Sequence, residues 1–200
     1  MTVDYDTSVL PAPTRLGQGT AVEMTRAAAE VAAAVQAARQ CPRNINMAVA
    51  EMENSCKQLG MAQRAFYAFP RAGKTVRGPT IHLARELARI WGNLDYGIAE
   101  LRRDDGFQSE MKASAWDMQT NTRSSSIFIV PHKRDTKEGV VVLTDMRDIY
   151  ENNTNNASRR VREAIFALLP PWFKDRAIEL CNQTLKAGAS GPLFHERVAN

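Results

Sequence analysis

The period of the hydropathy pattern changes twice along the chain, and these changes limit the fold more than any other feature of the sequence. Between residues 81 and 91 the apolar side chains recur at helical spacing, and Gly92 then supplies a left-handed stop. Beyond Gly92, apolar and polar residues alternate up to about residue 143, as they do in half-buried strands. Helical spacing returns after Asp145, a residue type that favours helix N-caps. This order of helices, strands and helices predicts an α+β fold.

The alternating region predicts an antiparallel meander of three or four strands that packs against the helices. The expected strands cover residues 94–102, 109–118, 125–130 and, for the short fourth one, 140–143. Asp104-Asp105-Gly106 is a strong hairpin-turn signal between the first two strands. Residues 132–139 are polar and basic, which predicts a loop.

Helices are predicted on both sides of the meander. The first, residues 20–40, is rich in alanine, and with so little side-chain bulk it should pack closely on another element or another subunit. The other predicted segments are a helix at 44–60 capped by Gly60, an irregular stretch at 61–78, a helix after Asp145 with a break at 152–156, and a helix at 172–187 closed by Gly188. We therefore expect a flexible arm at 1–19, one α+β domain at 20–187 and a tail at 188–200.

Composition excludes several classes of protein. The chain has 200 residues, of which 44% are hydrophobic and 24% charged, as in ordinary globular domains. No apolar run approaches the roughly 20 residues that a membrane helix needs, and the N-terminus lacks the features of a secretory signal. The cysteines, Cys41, Cys56 and Cys181, are too few and too scattered for a disulfide scaffold or a zinc site. A cytoplasmic protein without a membrane partner is expected.

Positive charge is concentrated in two separate segments. The net charge of the chain is +4, but residues 57–103 carry +6 and residues 157–186 carry +3, on either side of a middle segment, 104–156, with −3. Arginine outnumbers lysine by 19 to 7, and its planar guanidinium donates paired hydrogen bonds to phosphate. A fold that brings the two segments together would build a basic groove.

Three groups of cations are the candidate phosphate-binding residues. They are Arg71, Lys74 and Arg77 ahead of a helix, Lys133, Arg134 and Lys137 on the polar loop, and Arg159, Arg160 and Arg162 within four residues of the later helix. Each group has an ordinary alternative. The first could be a solvated loop, the second a charged turn partly neutralised by Asp135 and Glu138, and the third a set of salt bridges with Glu163 or Asp148.

Aromatic residues stand beside the first group of cations. Phe66, Tyr67 and Phe69 could stack on nucleic-acid bases, as aromatic side chains do in proteins that bind single strands. Aromatic residues at this spacing also commonly belong to a hydrophobic core. Trp91 lies on the apolar stripe of its helix and is assigned to the core.

The sequence offers no enzyme signature. Gly73-Lys74-Thr75 ends like a phosphate-binding loop, but position 68 is alanine where that motif needs glycine, so ATP binding is not expected. The histidines, His82, His132 and His195, are dispersed, and they predict neither a metal site nor a catalytic group. We therefore expect a protein that has no catalytic residues and is not an enzyme.

Two segments together resemble a known family. Residues 66–93 read FYAFPRAGKTVRGPTIHLARELARIWGN, and after the meander residues 155–170 read NNASRRVREAIFALLP. This order of loop, helix, hairpin sheet and basic amphipathic helix ending in Leu-Pro resembles that of phage single-strand annealing proteins of the RecT/Redβ kind. The resemblance covers about residues 60–170.

Membership of that family would imply a function in homologous recombination. Such proteins bind single-stranded DNA and the newly annealed duplex without ATP, and they assemble into homo-oligomeric rings or helical filaments. They act in the host cytoplasm beside a phage exonuclease and the host single-strand-binding protein. DNA would lie in a groove between the sheet and the basic helix, contacted by the three cation groups named above. No cofactor is implied beyond magnesium bound with the DNA.

Two other functions stay open from the residues alone. A non-catalytic phage assembly or regulatory protein would use its basic patches for duplex binding or for solubility. A nuclease with an unrecognised site would cleave DNA in the presence of a divalent metal. Binding to single strands that is salt-dependent and indifferent to sequence distinguishes the annealing protein from the assembly or regulatory protein. Cleavage that depends on a divalent metal would identify the nuclease.

Overall fold

The computed structural model describes residues 18–71, 73–104, 107–136 and 139–189, and its fold is α+β as predicted. The helices are α1 (Gln18–Gln40), α2 (Ile45–Cys56), α3 (Leu59–Arg64), α4 (Ile81–Trp91), α5 (Met146–Leu168) and α6 (Pro171–Ala189). The strands are β1 (Phe66–Arg71), β2 (Lys74–Pro79), β3 (Leu94–Asp104), β4 (Gln108–Asp117), β5 (Thr122–Pro131), β6 (Lys133–Thr136) and β7 (Gly139–Val142). The predicted arm and tail fall almost wholly on residues 1–17 and 190–200, which lie outside the described residues.

Strands β3, β4 and β5 form the predicted antiparallel meander. Every second residue of the central strand β4 is buried, because α5 packs on that face of the sheet. The buried side chains of β4 are Ser109, Met111, Ala113, Ala115 and Asp117. The predicted fourth strand is not part of this sheet: β7 pairs with β6 in a separate two-stranded ribbon. The expectation of a loop at 132–139 was therefore wrong for residues 133–136, which pair with β7 as a strand.

Helix α5 is continuous through its asparagine-rich segment, so the predicted break at 152–156 was wrong. Asn153 is buried, and its side-chain amide donates a hydrogen bond to the Ser109 hydroxyl at 2.9 Å. Asn156 donates to the Asn152 carbonyl one turn earlier at 2.9 Å. The side-chain amide nitrogens of both asparagines therefore find acceptors without interrupting the helix. Asp145 caps the helix as predicted, and its carboxylate accepts from the backbone N–H groups of residues 147 and 148.

An irregular stretch was predicted at 61–78, but the described residues of this range form the end of a helix and two strands. Helix α3 is followed by an antiparallel ribbon of β1 and β2, with Gly73 at the turn in the left-handed region (φ 74°). Pro70 is tolerated because each strand of a two-stranded ribbon is an edge strand. Gly60, the predicted cap of the second helix, lies inside α3, since α2 already ends at Cys56. Thr80 is the N-cap of α4, so Pro79 ends β2 and does not begin a helix.

Helices α2, α4, α5 and α6 enclose the main hydrophobic core. Trp91 belongs to it as predicted, and its ring packs against that of Phe173, with 4.8 Å between ring centroids. Gly92 ends α4 with φ 73°, which confirms the predicted left-handed stop. The predicted stop at Gly188 was wrong, because α6 continues to Ala189.

A buried ion pair joins the segment before α2 to the end of β4. Arg43 donates to the Asp117 carboxylate at 2.6 Å, and both side chains are more than nine-tenths buried. Burial alone would raise the pKa of Asp117, but hydrogen bonds from Arg43 and Thr120 outweigh it and hold that pKa below its usual value. The pair fixes the helical layer to one end of the meander.

Helix α1 is the predicted alanine-rich helix, and it projects from the rest of the fold. Residues 21–33 are all exposed, whereas Ala38 near the C-terminal end is buried. Within the described part of the chain, no helix is both long and apolar enough to cross a membrane.

Candidate nucleic-acid interface

An open groove of about 530 Å³ lies between the β1–β2 ribbon, the first turn of α4 and the middle of α5. These are the two basic segments that the charge distribution singled out, and the fold brings them together. The lining residues are Tyr67, Phe69, Val76, Thr80, Ile81, His82, Asn155, Ser158, Arg159, Arg162 and Glu163.

The ribbon contributes an aromatic wall to the groove. Tyr67 is paired with Gly78 and Phe69 with Val76 across the two strands, so these four residues share one face. The rings of Tyr67 and Phe69 are stacked, with centroids 5.8 Å apart and an angle of 23° between their planes. Gly78 makes room for this wall, because a Cβ atom there would lie 2.5 Å from the Tyr67 hydroxyl oxygen.

The sequence left open whether these aromatic residues stack on bases or belong to the hydrophobic core, and the structure divides them between the groove and the core. Phe66 is partly buried and packs against the hydrophobic core. Phe69 is 41% exposed and Tyr67 is half-buried, and both line the groove. Strand alternation is the signal that separates them, since Phe66 lies on the opposite face of β1 from the other two.

Helix α5 contributes the cationic wall. Asn155, Ser158, Arg159 and Arg162 are spaced three and four residues apart and therefore share one side of the helix. The guanidinium of Arg162 lies over the ring of Tyr67, 5.3 Å from its centroid, which places a cation and an aromatic ring at one point of the groove. The Arg159 side chain is exposed, and among the described residues it has no salt bridge.

Arg160 points to the other flank of α5. Its guanidinium lies 5.8 Å from the ring centroid of Phe128 on β5, and the groove lining described above does not include it. Glu163 lies 3.4 Å from Arg160 and 3.8 Å from Arg162, so the predicted alternative of salt bridges with Glu163 holds for these two arginines. The three arginines that lie close together in sequence are therefore divided between two surfaces of α5.

The first cation group is spread over the ribbon. Lys74 pairs with position 71 at the turn end, on the same face as Val76, and thus continues the groove wall beyond Phe69. Arg77 pairs with Ala68 and lies on the opposite face of the ribbon. Lys74 and Arg77 are both exposed. Strand alternation therefore places Lys74, but not Arg77, on the face that carries Tyr67.

The second cation group lies away from the groove. Lys133 and Arg134 are exposed on β6, opposite Val142 and Val141 of β7. Neither is among the residues that line the groove as described. Lys137, the third predicted member, lies outside the described residues.

Some groove residues carried no signal in the sequence. His82 and Thr80 come from the first turn of α4, whose unpaired N–H groups and helix dipole favour a negative ligand. Asn155 was hidden in the segment that was predicted to break the helix, and Ser158 follows just after that segment. Their place on one helix face could have been found only by treating residues 146–168 as one continuous helix.

A serine and a histidine also meet, but inside the fold. The Ser109 hydroxyl lies 2.9 Å from Nε2 of His132, and neither side chain has any solvent exposure. Substrate cannot reach this pair, so it serves the packing of α5 on the sheet. Within the described residues, no three His, Cys, Asp or Glu side chains form a group that could hold a metal ion.

Comparison with known proteins does not identify the site. No protein-family model, curated protein or solved structure matches the chain. The geometry of the groove therefore carries the functional argument, together with the resemblance noted in the sequence.

Proposed function

We propose that this protein binds single-stranded DNA and anneals complementary strands without ATP in phage homologous recombination. The observation that carries the proposal is the groove, in which the stacked pair Tyr67 and Phe69 faces Arg159 and Arg162 across an open channel. Proteins that bind single strands without sequence preference combine these two elements, a cationic track for the backbone and aromatic rings for the bases.

Single-stranded DNA suits this groove better than a duplex does. Exposed aromatic rings can stack only on bases that are not already stacked in a helix. Phosphates on the same strand would lie against Arg159, Lys74 and the N-terminus of α4, whose dipole favours anions. A ligand that needs both walls must present bases and phosphates together.

Annealing needs no nucleotide hydrolysis, because base pairing and stacking supply about 1.4 kcal/mol per step. The protein has to offset phosphate repulsion and hold the strand extended. Gly73 lies at the turn of a β-ribbon and Lys74 and Thr75 begin its second strand, whereas a nucleotide-binding loop connects a strand to a helix. This geometry agrees with the ATP-independent part of the proposal.

The resemblance to the RecT/Redβ kind of annealing protein supplies the rest of the proposal. It includes a homo-oligomeric ring or helical filament, magnesium bound with the DNA, a phage exonuclease and the host single-strand-binding protein as partners, and the host cytoplasm as location. Arg77, Lys133, Arg134 and Arg160, which are not among the residues lining the groove, remain proposed DNA contacts together with Arg71 and Lys137, and all six fit backbone contacts along a longer strand.

Fluorescence anisotropy with labelled oligonucleotides tests the proposal. We expect sequence-independent binding to single strands that weakens with salt and is reduced in the double variant Arg159→Ala/Arg162→Ala. The matched control is Arg39→Ala/Arg147→Ala, which removes two exposed arginines that are not among the residues lining the groove. Binding to duplex alone would favour the assembly or regulatory protein, and metal-dependent cleavage of the oligonucleotide would favour a nuclease.

A further inference from the structure

Both outer strands of the meander have an unpaired edge. The strand order is β3-β4-β5, and in the described part of the chain no further strand pairs with the outer side of β3 or of β5. An open edge presents unpaired backbone N–H and C=O groups that can pair with another strand. The same chain therefore offers two complementary backbone edges on opposite sides of one sheet.

Between Arg123 and the terminal Pro131, strand β5 lacks the features that usually protect an edge. Its ten residues pair with β4 without a bulge, and residues 124–130 carry no charge. On the face turned away from α5, Ile127 is 60% exposed and Ile129 is 51% exposed. A long, regular edge strand with exposed apolar side chains is the type that pairs with a second chain.

Strand β3 is protected only in its second half. A bulge interrupts its pairing with β4 between Glu100 and Arg102, and a bulge of this kind disfavours pairing at that end. Residues 94–100 pair regularly. The first half of β3 is therefore the part that can accept another strand.

The cross-strand rows of the sheet show how the two edges would fit. In one row Asp95 and Arg123 lie on either side of Trp116, and in another Ala99 and Ile127 lie on either side of Lys112. Because β3 and β5 run in the same direction, a second copy shifted sideways continues each row. Arg123 then meets Asp95 of the second copy, and Ile127 meets the small side chain of Ala99. Arg123 is held on the outer face for this contact by the Trp116 ring, 4.2 Å away.

We propose that β5 of one copy pairs in parallel with the first half of β3 of a second copy, so that the sheets join into one continuous sheet. This contact is head-to-tail, so it generates a closed ring or an open filament and not a closed dimer. The proposed annealing protein would assemble along DNA through this surface. The pairing itself is argued from the sheet alone, and only its use in DNA binding rests on the proposed function.

A charge exchange across the edge tests the pairing. The variants Arg123→Glu and Asp95→Arg each place like charges at the contact, and we expect each to weaken self-association about tenfold in sedimentation velocity without DNA. Mixing the two variants, or combining both changes in one chain, restores opposite charges and should restore assembly. The control Lys112→Glu makes the same charge change on the same sheet face, but on the central strand, and should assemble like the wild type.

Three outcomes would overturn the pairing. The first is a wild-type protein that stays monomeric at high concentration. Loss of assembly in Arg123→Glu with no effect of Asp95→Arg would instead identify antiparallel pairing of β5 with itself. If the mixture of the two variants fails to assemble although each retains the wild-type circular dichroism spectrum, the contact does not join these two residues.

The same variants separate this inference from the proposed function. Anisotropy with an oligonucleotide of about eight nucleotides, within the length that one binding unit covers, reports the groove of a single copy. The edge variants should keep this affinity while they lose assembly. The groove variant Arg159→Ala/Arg162→Ala should keep assembly while it loses affinity for the oligonucleotide. Assembly without any binding to single strands would contradict the proposed function alone.

Discussion

The groove and the β6–β7 ribbon carry similar numbers of cations, but they differ in how those cations are held. The groove is built from β1–β2, α4 and α5, and the latter two helices pack into the main core. The ribbon exposes every described residue of β6 and β7, including Val140, Val141 and Val142. Core packing in the groove places Arg162 against the ring of Tyr67, which stands far earlier in the chain, whereas the β6–β7 ribbon offers only separate charges.

The largest effect on binding should follow from the double variant Arg159→Ala/Arg162→Ala. Each charge-assisted hydrogen bond to phosphate is worth about 1.5–3 kcal/mol, so we expect a loss of affinity for single strands of roughly a hundredfold or more. The slope of log K against log salt should also fall by about 1.4, since each lost phosphate contact on a single strand removes about 0.7. Titrations at several salt concentrations measure both quantities, and an unchanged slope would place the phosphates elsewhere.

Removal of the aromatic wall should have the next largest effect. Stacking of a base on an aromatic ring is worth about 1–3 kcal/mol, so Tyr67→Ala should weaken binding roughly tenfold at constant salt slope. Tyr67→Phe keeps the ring and should bind like the wild type. If the phenylalanine variant is as weak as the alanine variant, the hydroxyl and not the ring is what the ligand contacts.

A smaller effect should come from Gly78→Ala, which changes no group that the ligand would touch. The added Cβ lies 2.5 Å from the Tyr67 hydroxyl oxygen, so the ring has to move out of its place in the wall. We expect affinity to fall by about threefold, less than the full loss of stacking in Tyr67→Ala. Gly97→Ala is the matched control, because a Cβ atom at that position meets nothing within 4 Å. Equal affinities of the two alanine variants for a short oligonucleotide would contradict the description of the wall.

The smallest effect should come from the β6–β7 ribbon. Lys133→Ala/Arg134→Ala removes two exposed charges, and exposed charge pairs contribute about 0–1 kcal/mol. We expect affinity for a short single strand to fall less than about fivefold. A loss of affinity as large as that of the groove variant would contradict this ranking and make the β6–β7 ribbon a main DNA contact.

The overall fold could be predicted because its main signals are local. The helical stripe that ends at Gly92, the alternation in β4 and the cap at Asp145 each depend on residues close in sequence. The ribbon of residues 66–79 could not be predicted in the same way. Pro70 and Gly73 are typical of loops, and only the pairing of β1 with β2 makes Pro70 part of a strand and Gly73 a turn residue between strands.

The site could be predicted in its chemistry but not in its geometry. The sequence identified Arg159, Arg160 and Arg162 as one cluster, but helix rotation places Arg160 beside Phe128 and the other two in the groove. The packing of Asn153 against Ser109 keeps α5 continuous and thereby sets that rotation. This contact joins residues 44 positions apart, so no local pattern reveals it.

The rate of strand annealing without ATP tests the central claim most directly. Two complementary labelled oligonucleotides are mixed with wild-type protein, with Arg159→Ala/Arg162→Ala, and with the triple variant that also carries Arg160→Ala, at low and at moderate salt. We predict that the wild type accelerates annealing, that salt weakens the acceleration, and that the double variant already loses nearly all of it, with little further loss in the triple variant. Equal acceleration by the wild type and both variants would contradict the claim that this groove holds the DNA, and no acceleration by the wild type would contradict the annealing function itself.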